Sequence, residues 1–254
     1  MAKCAILTIT YNEPDFMAMW YRYYSKHFDD ADIYILDDGS DDGMLDGIGG
    51  NIEKVTDQVH PDLKKHIQDG DMQHKVLERY RLLLRRYKYV MKVDTDEFVV
   101  PDPAKWPGGL KQFIDEFEDE FAQCSGYGVV EKPGEAVFDS SKDPWLSQRT
   151  HWHRDWHHFC KVVLSRTDPQ WGGGYHASKW NKDWTPAIQK HEREDFRLIH
   201  MHYACSAMTK RRWTARNSTD GRFQPEFAEK TVMDRFQSDD MPALEIPDRW
   251  RLSI

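Results

Sequence analysis

Between residues 90 and 100 the chain reads VMKVDTDEFVV, an apolar run that ends in Asp94, Asp96 and Glu97 and then turns apolar again. Val90, Met91 and Val93 have the composition of a short buried β-strand, which would carry the three carboxylates at its C-terminal edge. Residues two apart on an extended chain point the same way, so Asp94 and Asp96 can face one ligand while Thr95 faces the other side. Two carboxylates aimed at one point repel unless a cation lies between them. Oxygen donors of this kind suit Mg²⁺ or Mn²⁺, which keep positions open for substrate phosphates. Taken alone, a D-x-D reads as an acidic turn after a strand, because so short a motif recurs by chance.

Other groups able to do chemistry are spread along the chain. Residues 197–203, RLIHMHY, read as a strand on which His200 and His202 share one face. Gly172, Gly173 and Gly174 precede Tyr175 and His176, and glycines there allow a ligand to approach the backbone closely. His151, His153, His157 and His158 in THWHRDWHH invite a zinc site, but no cysteine or carboxylate at ordinary ligand spacing completes one. A polar strand or loop is the plainer reading, and Asp155 within it is a candidate general base. Lys210, Arg211 and Arg212 open a late helical segment and could clamp a diphosphate.

The elements that must position these groups alternate. Residues 5–10 (AILTIT) read as a strand, Tyr11-Asn12-Glu13-Pro14 as a turn, and 15–28 as a helix with Phe16, Met19, Trp20 and Tyr23 on its apolar face. Residues 32–36 (DIYIL) read as a second strand closing in Asp37-Asp38-Gly39-Ser40-Asp41-Asp42-Gly43. Strand, helix, strand with polar loops at the strand ends is a βαβ unit, and ligands of open α/β sheets bind at that edge. Asn12 and Asp37 also have a plain reading as caps of the elements that follow them. Residues 72–89 have helical spacing, and the chain then enters the carboxylate strand; His74 and Lys75 at its start could reach a diphosphate, while its arginines read as a solvated face. Residues 108–121 form an acidic amphipathic helix and 127–130 a strand. The class is α/β, with a central, mostly parallel sheet flanked by helices.

The 254 residues suffice for one large α/β domain, with no apolar run of about 18 that would span a bilayer. The short N-terminal apolar run reads as a first strand, being too short for a signal peptide. Cys4, Cys124, Cys160 and Cys205 are scattered without C-x-x-C spacing, which argues against a disulfide framework and for a reducing, cytoplasmic setting. A net charge of -8 argues against a partner bound through nucleic-acid phosphates. Six of the ten tryptophans lie between Trp145 and Trp184, where one or two could stack on sugar rings and the rest pack the core.

The early I-T-Y-N-E turn, the D-D-G-S-D-D-G strand end and the D-T-D-E-F strand end, in that order, together resemble glycosyltransferase family 2 and its relatives with the GT-A fold. Lys161-Val162-Val163-Leu164-Ser165-Arg166, followed by Gly173-Gly174-Tyr175-His176, and His202-Tyr203-x-x-Ser206 resemble the subgroup whose aspartates are followed by Glu-Phe. The resemblance covers roughly residues 3–215. It implies a single Rossmann-like GT-A domain over residues 1–215, a nucleotide-sugar half (1–100) and an acceptor half (101–215), with 216–254 as an extension packed on it. It implies a metal-dependent transfer of a sugar from a nucleotide diphosphate donor, UDP favoured, to an acceptor hydroxyl of a glycan. Thr10, Tyr11, Asn12 and Glu13 then match the loop against the nucleobase, and Asp37 and Asp38 the carboxylates that read base or ribose. The D-T-D turn, Asp94, Thr95 and Asp96, meets metal and ribose, with Mn²⁺ or Mg²⁺ as cofactor. Glu97 orients the aspartates, His176 matches a late histidine near phosphate or acceptor, and His200 or His202 supplies a further metal ligand. An inverting reaction also needs a base to deprotonate the acceptor, for which Asp155, Asp183 and Glu194 qualify.

Two other classes stay open. A phosphohydrolase of the haloacid dehalogenase type also starts from a strand ending in D-x-D, but it wants a small residue where Phe98 stands and the motif near the N-terminus. A non-catalytic glycan-binding module would use the tryptophans and have no need of the paired carboxylates.

Overall fold

A computed structural model of the chain describes residues 2–55, 71–154, 160–172, 175–180, 191–217 and 243–254. Strand β1 (Cys4–Thr10) runs through the middle of the sheet, buried along almost its whole length. Helix α1 (Pro14–Tyr24) begins at a proline, whose missing N–H and preset φ suit a first helical turn, and buries Phe16, Met17, Met19, Trp20, Tyr23 and Tyr24. Strand β2 (Ile33–Asp37) returns parallel to β1, so the expected βαβ unit is present, each strand ending where its polar loop begins. Strand β3 (Asn51–Lys54) adds a parallel, exposed edge. Helix α2 (Asp71–Leu83) precedes β4 (Tyr89–Lys92), which pairs parallel with β1 on its other side.

The VMKVDTDEFVV stretch is two strands, not one. β4 stops at Lys92, the chain turns through Asp94, Thr95 and Asp96, and β5 (Glu97–Pro101) sets off to pair antiparallel with β9 (Glu192–Tyr203). Helix α3 (Gly109–Glu116), strand β6 (Phe121–Val130), strand β7 (His151–Arg154) and strand β8 (Val162–Ser165) lie between them in the chain. The late elements are α4 (Ser206–Asn217), β10 (Leu244–Glu245) and the single turn α5 (Asp248–Arg251). Strand order is β10-β7-β6-β8-β4-β1-β2-β3, with β9 bridging β6 and β5. The four N-terminal strands are parallel, β8 joins β4 antiparallel, and β6 pairs parallel with β9, which makes the sheet mixed.

The parallel half is covered on both faces, as parallel strands require. Cys4, Ile6, Ile33, Ile35, Tyr89 and Met91 point into the layer beneath α1 and α3. Ala5, Leu7, Tyr34, Leu36 and Val90 alternate into the other layer, beneath α2, Trp171 and Tyr175. Of the six tryptophans singled out above, Trp145 and Trp152 are in the core of the first layer and Trp171 in the second. Trp156 and Trp184 lie outside the described residues, as does most of the tail, 218–242.

Beside β7 and β9 one buried cation ties several loops together. Arg149 is fully buried, donates to the carbonyls of Ala136 and Gln148 at 3.1 and 2.7 Å and to that of Ala204, and lies 3.6 Å from both Glu131 and Glu135. Removing it takes a donor from three carbonyls and the counter-charge from two carboxylates. Arg149→Ala should therefore cost about 3–5 kcal/mol in urea unfolding. A loss below about 1 kcal/mol, the value of an exposed ion pair, would contradict this reading.

Candidate active site and metal centre

The site is assembled at the C-terminal ends of β1 and β4, where the loops diverge. After β1 the chain passes through Asn12, whose φ of 48° is a left-handed conformation that asparagine tolerates. That bend is fixed from the neighbouring loop: Asn12 Nδ2 donates to Asp41 at 2.9 Å, and the Asn12 N–H donates to Ser40 Oγ at 3.1 Å. Asp37 accepts the Ser40 N–H at 2.8 Å, an Asx turn that shapes the DDGS loop. These two residues hold the loops together and do not line the cavity below them. Asp38 is fully buried, with its N–H bonded to the Thr10 carbonyl at 2.9 Å.

A cavity of about 360 Å³ opens at this edge, lined by Thr10, Tyr11 and Glu13 from the first loop, Asp94 to Glu97, Tyr175 and His176, His200 and His202, and Arg212. The antiparallel register sets Glu97 opposite His200, so the turn before β5 and the last residues of β9 face one another. The Met201 N–H donates to the Asp96 carbonyl at 2.8 Å and locks this juxtaposition. His200 and His202 share the face predicted for them, their rings parallel with centroids 5.5 Å apart.

Asp96 is the centre of the arrangement. Its Oδ2 lies 3.2 Å from His200 Nε2 and 3.2 Å from His202 Nδ1, and it accepts from Arg212 Nη1. Burial alone would raise this carboxyl, but Arg212 and the two histidines outweigh it and hold it well below the ordinary carboxylate range. Burial pushes His202 down to about 4, more than its bond to Asp96 can restore, so the imidazole is neutral near pH 7 and offers a lone pair. One donor atom from each of Asp96, His200 and His202 lies within 4.8 Å of the others, the one such group of three among the described residues. A carboxylate with two imidazoles suits Mn²⁺ better than Mg²⁺, which prefers oxygen donors throughout.

Asp94 belongs to a different set of partners. It is bonded to Lys92 and lies 3.5 Å from Lys161. Glu97 accepts the Asp94 N–H at 2.8 Å and pairs with Lys161 at 2.7 Å. Both lysines are 1% exposed. Burial lowers Lys92, and Asp94 only partly offsets it; burial acts on Lys161 as well, but Glu97 and Asp94 together reverse its effect and raise that ammonium. The expected pairing of both aspartates on one cation is therefore not the group found among the described residues: Asp96 groups with His200 and His202, and Asp94 with two lysines. Glu13 completes the cluster, accepting from Arg212 Nη2 at 2.9 Å and from the Thr95 hydroxyl. Four carboxylates, Glu13, Asp94, Asp96 and Glu97, meet three cations, Lys92, Lys161 and Arg212, leaving one negative charge in excess.

Several expected residues are elsewhere. His74 is exposed and Lys75 reaches the Val55 carbonyl at 2.9 Å, so neither lines the cavity. Glu194 is 58% exposed, paired with Arg154 and 3.4 Å from the Tyr127 hydroxyl, at the far end of β9 from the two histidines, which removes it as the base for this cavity. Asp155 and Asp183 lie outside the described residues. Lys92, which lies 3.7 Å from the centre of the Tyr175 ring, belongs to the site without having been singled out. The signal for Lys92 was a lysine inside an otherwise apolar strand.

No protein-family model matches the chain, and no curated protein is significantly similar to it in sequence.

The Lys161–Glu97 pair supplies a test of the charge cluster. Lys161→Met strands Glu97 and should cost about 3–5 kcal/mol, whereas Lys161→Met with Glu97→Gln should recover at least half of that. Additive losses in urea unfolding would contradict a coupled buried pair.

Proposed function

We propose that the chain is a metal-dependent glycosyltransferase, moving a sugar from a nucleotide diphosphate sugar, UDP favoured, to an acceptor hydroxyl of a glycan. The observation that carries this reading is the convergence of Asp96, His200, His202 and Arg212 in one cavity at the C-terminal ends of parallel strands, bordered by the Thr10–Glu13 loop. The C-terminal edge of a parallel sheet is where nucleotides bind in open α/β folds. Thr10 and Tyr11 border the cavity where a nucleobase and ribose would enter, and His176 and Arg212 border it where phosphate oxygens would lie. Asp96, His200 and His202 would hold Mn²⁺, and the bound ion would neutralise charge building on the leaving diphosphate. Lys161 and Glu97 keep the carboxylate turn rigid, so the donors are in place before substrate arrives.

The phosphohydrolase alternative asks for an aspartate presented as a nucleophile. Here Asp94 is tied to Lys92 and Asp96 to Arg212, which favours the transferase reading. The same donor set, one carboxylate with two histidines, is also used by non-haem iron enzymes. The nucleotide dependence of binding separates that chemistry from sugar transfer.

Thermal melts with UDP, GDP, CDP or dTDP, each with Mn²⁺ or with EDTA, test the proposal. One nucleotide at about 100 times its Kd should add ~2.7 kcal/mol, roughly 5–10 °C in Tm, only when Mn²⁺ is present. The shift should vanish in Asp96→Asn. Stabilisation by Mn²⁺ alone with no response to any nucleotide would contradict sugar transfer.

A further inference from the structure

Arg212 occupies the place where the metal donors converge. Its Nη1 is bonded to Asp96 Oδ2 and lies 2.6 Å from His202 Nδ1, so two lone pairs that could bind a cation are both spent on one guanidinium nitrogen. Its Nη2 holds Glu13 at 2.9 Å, and the side chain of Arg212 is only 8% exposed. The guanidinium plane also lies over Phe16, 5.1 Å from the ring centroid. The residue before it anchors the helix: exposed Arg211 makes two bonds of 2.9 Å to Asp15 on α1. Helix α4 thus carries Arg212 into the cluster while Arg211 ties the same helix to α1.

We propose that Arg212 is an exchangeable counter-ion, which fills the Asp96–His202 donor pair without metal and gives it up when a divalent cation binds. Released, it turns to the diphosphate. This rests on the metal-dependent reading of the same cavity. The charge count shows what the exchange would do. With Arg212 in place the cluster carries four carboxylates against three cations, an anionic surface that repels a diphosphate. A divalent cation added to the same seven groups turns a charge of minus one into plus one, with Arg212 now available as a bidentate phosphate donor. Metal and nucleotide diphosphate are thereby bound in order, and the nucleotide alone meets a site of the wrong sign.

Mn²⁺ binding, measured on the full chain by electron paramagnetic resonance of the free ion, tests the inference. Arg212→Gln removes the competitor and should bind Mn²⁺ alone at least tenfold more tightly than wild type, while its affinity for UDP in saturating Mn²⁺ falls at least tenfold. Metal-free Arg212→Gln should melt below wild type, since Glu13 and Asp96 are left unpaired, and recover when Mn²⁺ is added. Arg212→Lys keeps the charge but cannot hold Glu13, Asp96 and His202 at once, so its Mn²⁺ affinity should lie between the two; it also covers the case in which the glutamine variant does not fold. Equal or weaker Mn²⁺ binding in both variants, with wild type binding normally, would overturn the exchange and leave the metal site standing. Failure of wild type and both variants to bind Mn²⁺ would overturn the metal reading and the exchange together.

Discussion

A carboxylate taken out of water has to be met by positive charge or hydrogen bonds, and the functional end of this sheet is organised around that requirement at Asp96. Four buried or half-buried carboxylates are gathered from one loop and one turn, and the groups that match them come from several parts of the chain. Lys92 comes from the strand below, Lys161 from the start of β8, Arg212 from α4, and the histidines from β9. Such a cluster stabilises the fold only weakly compared with apolar packing of the same volume. Under the proposed exchange of Arg212 for a divalent cation, its cost has a use, because the charge of the site changes when the ion binds.

The architecture explains why these residues can meet. Parallel strands β1, β2 and β4 deliver their loops to one edge, and the switch from parallel to antiparallel pairing beyond β4 leaves room there. Strand β9 runs past that edge because it pairs with β5, which begins where the carboxylate turn ends. The register that puts Glu97 opposite His200 therefore fixes the distance between Asp96 and both imidazoles. A slip of one residue in that pairing would turn the histidines to the other face.

Much of this was legible in the residues. The first βαβ unit followed from apolar runs broken by Tyr-Asn-Glu-Pro and Asp-Asp-Gly-Ser, and the shared face of His200 and His202 followed from strand alternation. The division of VMKVDTDEFVV into two strands was not legible, because both halves are apolar and no glycine or proline marks the turn. Its closure depends on the Glu97 side chain reaching back to the Asp94 N–H. Strand β3 has no apolar pattern to find, being exposed throughout. Lys161 looks like a surface residue in sequence, and its carboxylate partners, Asp94 and Glu97, lie far away in the chain. In the KRRW string the helical period alone does not say that Arg211 meets Asp15 while Arg212 enters the core. Asp37 followed its turn-forming tendency, whereas Asn12 does not cap α1, which has no side-chain cap, and instead bonds Asp41 in the neighbouring loop.

The account turns on one claim, that Asp96, His200 and His202 together bind a divalent cation. Crystals grown with Mn²⁺ and a nucleotide diphosphate, with diffraction recorded on both sides of the manganese absorption edge, address it most directly. The account predicts a single anomalous peak about 2.0–2.3 Å from one oxygen of Asp96 and from a ring nitrogen of each histidine, with the Arg212 guanidinium turned away from Asp96. A peak bound instead by Asp94, or a guanidinium still bonded to Asp96 in crystals that hold the nucleotide, would contradict it.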